Sequence, residues 1–461
     1  MVSRQTVQAA ICYTSRCTQS RPSFSAPMRY DCLLNPEFSL RSPLRVLLLA
    51  VLVGVFQPGL SRAQTPSDTD TSSISLEEAL REHSYPLRTR NGSLHGSGGR
   101  WLREQAKAAT LITLGEMHGT QEIPAIMGAL LEDLQTTGEV DHLALEVSPW
   151  TADLMTDSLR ALDSTYTTFI ERRPASIPFY ALQPERDLIR NFVRNSASER
   201  PLWGLDQIFA FATELAMDRL AKRAPTAEAR RALAATRTAG RSDSTTDPAL
   251  RHIPSSMPFP LMRYPRTAFD SLGSYFEGVD EAQRILDELA TSTEIYRIND
   301  TKNYRSNQLR ARYLRRNLQR EFHRSDAKRD DAPQVVIKVG GRHAYKGLTP
   351  NNVLDVGNLA VALAEQSGGT ALNVAVFCGP NSTARDFPAG TVDCWQERQA
   401  PFAKVLDDEP MLFNLTAIHP LLHEGPLDPP PALERMLWAF DVVVLVPNAQ
   451  PSSLITPIID R

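Results

Sequence analysis

Neither sign of charge is in excess: 50 basic and 53 acidic side chains leave a formal net charge of −3. That balance offers no electrostatic footprint for a polyanion, so nucleic acid is not an expected partner. Several chemistries are missing at the level of motif. There is no Gly-rich phosphate loop ending in Lys-Ser or Lys-Thr, no Gly-x-Ser-x-Gly elbow and no His-Glu-x-x-His helix. Nucleotide-cofactor chemistry and a serine-hydrolase mechanism are therefore disfavoured. Cysteine is scarce too. Cys12, Cys17 and Cys32 lie in the N-terminal segment, which leaves Cys378 and Cys394. Those two either pair, adding roughly 3 kcal/mol in the chain-entropy model, or stay as separate thiols.

No apolar run is long enough to span a bilayer comfortably. The run at residues 46–56 is preceded by Arg41 and Arg45 and followed by Ser61-Arg62-Ala63. This is the three-part layout of a secretory signal with a small-x-small cleavage site. Residues 1–63 are thus expected to be a signal peptide with its upstream n-region, and Met28 is an alternative start. The product is expected to be exported, periplasmic or secreted, with no stable membrane span after signal removal. No cysteine follows the run closely enough for a lipoprotein anchor.

Residues 64–100 read as a flexible linker and N-terminal segment. Residues 64–75 are rich in Thr, Ser, Asp and Pro, Ser75-Leu76-Glu77-Glu78 has the look of a helix start, and residues 91–100 carry enough Gly and Ser to read as a loop. Residues 101–461 read as a single α/β domain. Short apolar runs at 110–114, 142–145, 201–205, 335–339, 372–377 and 442–446 look like strands covered on both faces. Helical stretches at 123–135, 186–195 and 354–366 alternate with them, which predicts a mainly parallel central sheet flanked by helices. Residues of about 207–323 break the rhythm and read as a helical insertion or cap. Residues 379–430, dense in Pro and Asp, read as long surface loops.

In open parallel sheets, ligands bind outside the carboxyl ends of the strands. Four predicted strands here run directly into ionisable residues. The first enters Gly115-Glu116-Met117-His118-Gly119, the second Glu146, the third Asp206 and the fourth Gly340-Gly341-Arg342-His343. The glycines permit tight turns and close approach of a ligand to the backbone. Any one of these positions is unremarkable, since a strand-end Glu is usually a surface ion pair and a lone His is usually structural. Four together point to a shared site. His419 and His423 are a weaker pair, because Pro420 lies between them.

The segments Leu114-Gly115-Glu116-Met117-His118-Gly119, Leu143-Ala144-Leu145-Glu146 and Lys338-Val339-Gly340-Gly341-Arg342-His343 resemble the erythromycin esterase, ChaN and Tiki (TraB) superfamily. The resemblance covers residues of roughly 101–446. In its esterase branch it implies a hydrolase of esters, lactones or amides. His118 would be the general base, oriented by Glu116 or Glu146, and His343 would stabilise the oxyanion or protonate the leaving group. Arg305 resembles the Arg that opens the long helix before the last motif, although Ser306 stands where Asp is expected. The other reading of Arg305 is one charge on a basic helix face running from Arg310 to Arg324. In the Tiki-like branch Glu116, His118, Glu146 and His343 would hold a divalent ion, Mn, Co or Zn, for cleavage of a peptide substrate. In the ChaN branch the implied ligand is haem, with Tyr345 the aromatic candidate beside His343.

Overall fold

The computed structural model describes residues 74–455, apart from 139, 162, 174, 178, 242–259, 300–302, 327–331 and 387–389. The signal-like segment at 1–63, and residues 64–73 of the expected linker, lie outside the described residues. Among those described, no helix is long and apolar enough to cross a membrane.

Twelve strands are present among the described residues: β1 (Ser84–Pro86), β2 (Arg88–Arg90), β3 (Ser93–His95), β4 (Leu111–Glu116), β5 (His142–Leu145), β6 (Leu202–Gly204), β7 (Val335–Gly340), β8 (Ala371–Cys378), β9 (Thr383–Asp386), β10 (Gly390–Asp393), β11 (Met411–Asn414) and β12 (Val442–Val446). Eight form one sheet in the order β1-β11-β12-β8-β4-β7-β5-β6. From β12 to β6 every pairing is parallel, while β11 and β1 join antiparallel at one edge. The central strands can be apolar at successive positions because both faces are covered. Side chains alternate across the sheet: Ile112, Leu114, Leu143 and Val336 enter one core, and Leu111, Ala144, Val335, Ile337 and Val339 enter the other. This is the mainly parallel α/β architecture that the alternating pattern predicts.

Four helices after β6, Thr213–Arg223, Ala227–Arg241, Arg266–Gly273 and Asp280–Asn299, enclose a third core around Met217, Leu261, Phe269 and Leu286. The long helix Asn303–Asp326 returns to the sheet, burying Leu314, Leu318 and Phe322 against it.

Two stretches differ from the expected loops. Residues 91–100 are not a loop. Asn91 and Gly92, both at positive φ, turn β2 back onto β3, and the helix Gly96–Ala108 begins immediately. Asn-Gly is the pair that a tight hairpin turn favours, and the Gly content that suggested a loop serves that turn and the helix entry. Residues 379–430 hold the β9–β10 hairpin and the sheet strand β11. A four-residue strand is too short to show a period, so its burial was invisible in sequence. Cys378, ending β8, and Cys394, just past β10, form a disulfide.

Candidate functional site

The parallel register sets Glu116, the last residue of β4, opposite Gly340 of β7 and Val376 of β8. Glu146 follows β5 directly and Asp206 follows β6 by two residues, so all open on the same carboxyl-terminal edge. His118 is on the turn after β4, and His343 on the turn after β7.

The geometry centres on Glu146. Its Oε2 accepts the Gly340 N–H at 2.6 Å, and its Oε1 accepts from Arg310 at 2.7 Å. His118 Nε2 is 3.5 Å from Oε2, and His343 Nε2 is 3.5 Å from Oε1. That separation is longer than an ordinary hydrogen bond, so neither Nε2 is locked by the carboxylate. The opposite ring nitrogens are held more closely. His118 Nδ1 is 2.8 Å from Glu116 Oε1, and His343 Nδ1 is 2.7 Å from Asp355 Oδ2. Asp355 is itself fixed, because it caps the helix Val356–Gln366 through the Val356 N–H. Phe179 stacks on the His118 ring, with centroids 4.0 Å apart. A Cβ at position 340 would lie 3.0 Å from His118 Nε2 and 3.2 Å from Glu146 Oε2, so any larger residue would crowd both side chains.

Behind Glu116 lies a buried ionic network. Lys338, fully buried on β7, pairs with Glu116 and, at 2.8 Å, with Glu185 of the helix Gln183–Asn195. Its ammonium also faces the Tyr180 ring. Burial pushes the Glu116 carboxyl up, but the Lys338 and His118 charges outweigh it and hold Glu116 below its ordinary value. Glu146 is also raised by burial, yet His343, His118 and Arg310 bring it well below. Both histidines move the other way. Burial lowers them, and carboxylates more than compensate: Glu116 and Glu146 bring His118 to about 9, and Asp355 and Glu146 bring His343 to about 10. Glu185, buried and repelled by Glu116, is pushed up to about 7 despite Lys338.

Of the residues singled out in the sequence, Glu116, His118, Glu146, Asp206 and His343 are brought together. Arg305 is not: it is exposed on the helix Asn303–Asp326. Arg310 of that helix reaches the site, donating through Nε to Asp206 at 3.0 Å and through Nη2 to both Asp206 and Glu146. Positions five apart point about 140° apart around a helix, so only one of the two can face the crevice. Arg310, Lys338, Glu185, Asp355 and Phe179 went unrecognised in the sequence. Lys338 alone left a clear signal, being a lysine within an apolar run on a strand covered on both faces. His419 is remote from this chemistry, bonding the Leu437 carbonyl and stacking on Trp438.

The donor set fits neither implied group. Both Glu146 oxygens already accept hydrogen bonds, and the Arg310 guanidinium beside them opposes a second cation. Among the described residues, no three His, Cys, Asp or Glu side chains converge as a metal-ligand set. For haem, both Nε2 atoms face Glu146 rather than an open apolar wall, and Tyr345 is buried edge-on against Phe440.

No protein-family model matches the sequence, and no curated protein matches it. Solved structures do match in fold. A protein from Bacillus cereus is similar with a TM-score of 0.54 at 14% identity, over 82% of this chain and 98% of its own. A succinoglycan biosynthesis protein gives 0.53 at 14%, again over 82% and 98%. A variant of the erythromycin esterase EreC in its open conformation gives 0.51 at 14%, over 78% of this chain and 95% of that one. At such identities the likeness is one of fold, and the chain has the α/β fold of erythromycin esterase that its strand-end motifs resemble.

Proposed function

We propose that this chain is an exported hydrolase in which two histidines assist water in opening an ester, lactone or amide. The observation that carries the reading is the paired arrangement of His118 and His343. His343 Nδ1 hydrogen-bonds to Asp355, His118 Nδ1 lies 2.8 Å from Glu116 Oε1, and each ring directs Nε2 toward Glu146. In this scheme neutral His118 takes a proton from water through Nε2 as the oxygen attacks the carbonyl carbon. Protonated His343 donates from Nε2 to the developing oxyanion and then to the leaving oxygen or nitrogen. The products are an acid and an alcohol or amine.

The division of roles follows from how the two rings are held. Glu116 shares its charge between Lys338 and His118, whereas Asp355 serves His343 directly. On that division of charge His118 is assigned the role of base and His343 that of acid. His343, His118 and Arg310 together keep Glu146 ionised between them. The fold shared with an esterase supports this reaction class, with a small molecule or peptide as substrate. Export is supported by the signal-like segment and by the Cys378–Cys394 disulfide, a bond that persists in oxidising compartments.

The test is a panel of ester, lactone and amide substrates at alkaline pH, with wild type beside His118→Ala and His343→Ala. Hydrolysis that both substitutions abolish, and that a chelator leaves intact, supports the reading. Turnover that persists in both variants would sink it.

A further inference from the structure

We propose that Arg385 and Ser452 are positioning residues, which use the C-terminal strap at residues 450–455 to hold the His118 turn and the Phe179 segment against each other. The inference rests on the hydrolase reading for its catalytic consequence, but its geometry stands apart from it.

The turn between β4 and the helix Glu122–Thr136 is bonded by segments distant in sequence. Gly119 is at φ +89°, so the chain doubles back there, and a Cβ would meet the Arg385 carbonyl at 2.3 Å. Its carbonyl accepts two N–H groups, from Arg385 at 2.7 Å and from Ser452 at 2.8 Å. The strap continues the contact on either side. The Gln121 N–H donates to the Gln450 carbonyl at 2.9 Å, the Gln450 N–H to the Glu122 carboxylate at 2.9 Å, and the Ser452 hydroxyl to the Thr120 carbonyl.

The same strap then crosses to the segment that carries Phe179. The Gln183 N–H donates to the Ser453 carbonyl at 2.8 Å, and the Ile455 N–H to the Ala181 carbonyl at 3.0 Å. Thr120 bridges to Pro451 and Leu182 to Leu454, so one short stretch pairs with both the segment that carries His118 and the segment that carries Phe179. Those two rings stack on each other.

The strap itself is held from behind. Arg385 Nε donates to the Ser452 carbonyl at 2.6 Å, the Thr383 N–H to the Ala449 carbonyl at 2.9 Å, and the Ala449 N–H to the Ser382 hydroxyl at 2.9 Å. Ser382 immediately precedes β9 and Arg385 lies within it, and the Cys378–Cys394 bond ties the β9–β10 hairpin to β8. The series runs from disulfide to hairpin to strap to His118. A ring whose Nε2 makes no short hydrogen bond to Glu146 depends on such ties for its placement, and small displacements of a catalytic group cost turnover steeply.

The test compares full-length wild type with Ser452→Pro, which loses the strap N–H and hydroxyl, and with the milder Arg385→Ala and Arg385→Lys. Amide hydrogen exchange is read first, because it needs no substrate. Protection is expected to fall at least tenfold at Gln121, Gln183 and Ile455, whose N–H groups bond across the strap, and to stay unchanged in β4 and β7. Where hydrolysis is measurable, kcat is expected to fall tenfold or more in Ser452→Pro with KM within about twofold, and Arg385→Lys to recover part of the Arg385→Ala loss. Unchanged protection at those amides, or an equal fall across the sheet, overturns the proposal. A local fall in a protein that hydrolyses nothing on the panel leaves the strap standing and removes the hydrolase reading alone.

Discussion

The His343 imidazole is tethered through Nδ1 to Asp355 at 2.7 Å, and Asp355 is in turn held by the helix it caps. A carboxylate so fixed orients the ring and favours its protonated form, leaving Nε2–H as the donor at the site. Replacing Asp355 by Asn keeps the shape and removes the charge. The expected result is a kcat at least tenfold lower, with the alkaline limb of the pH profile moved to lower pH. Unchanged kinetics in D355N would show that Asp355 serves the helix alone.

Activity is expected to be alkaline. With His118 at about 9 and His343 at about 10, the working state, His118 neutral and His343 charged, is most populated between those values. The pH dependence of kcat/KM should rise through about 9 and fall beyond about 10. A profile already flat from pH 6 to 8 would contradict the assignment of base and acid.

Arg310 and Arg305 offer a paired comparison on one helix. Arg310→Ala leaves Glu146 and Asp206 facing each other without their shared cation, and kcat/KM is expected to fall by about a hundredfold, with lowered stability. Arg305→Ala alters an exposed position and should stay within about 0.5 kcal/mol of wild type. Steady-state kinetics and denaturant melts of the two variants decide it.

Lys338 neutralises two buried carboxylates, so Lys338→Met is expected to destabilise the chain by about 3–5 kcal/mol. Glu185 adds a pH signature. Its folded-state value, about 7, lies above the ordinary 4.5, so its contribution is fully present below 4.5 and is lost as pH rises through about 7. Glu185→Gln should therefore flatten the fall in stability across that window, which urea melts at several pH values measure. A variant with the wild-type slope would count against this account.

Opening the Cys378–Cys394 bond, by substituting both with Ala, is expected to cost about 3 kcal/mol in the chain-entropy model. Thermal melts with and without reductant check this, and reductant should leave the double variant unaffected.

The sequence by itself determined the six parallel strands of the sheet and one side of the candidate site. Apolar strands such as Val335–Gly340 declare burial on both faces, and ionisable residues directly after them must fall on one edge of a parallel sheet, so Glu116, His118, Glu146, Asp206 and His343 were legible. Arg310, Glu185, Phe179 and the strap at 450–455 were not. They reach the site from helices and chain ends whose packing is set by contacts between residues far apart in sequence, and no local pattern encodes which helix face will meet which strand end. Even the choice between the two halves of a carboxylate–histidine pair belonged to tertiary structure. Only there does Lys338 share the charge of Glu116 with His118, while Asp355 faces His343 with no second cation among its ion pairs in the described residues.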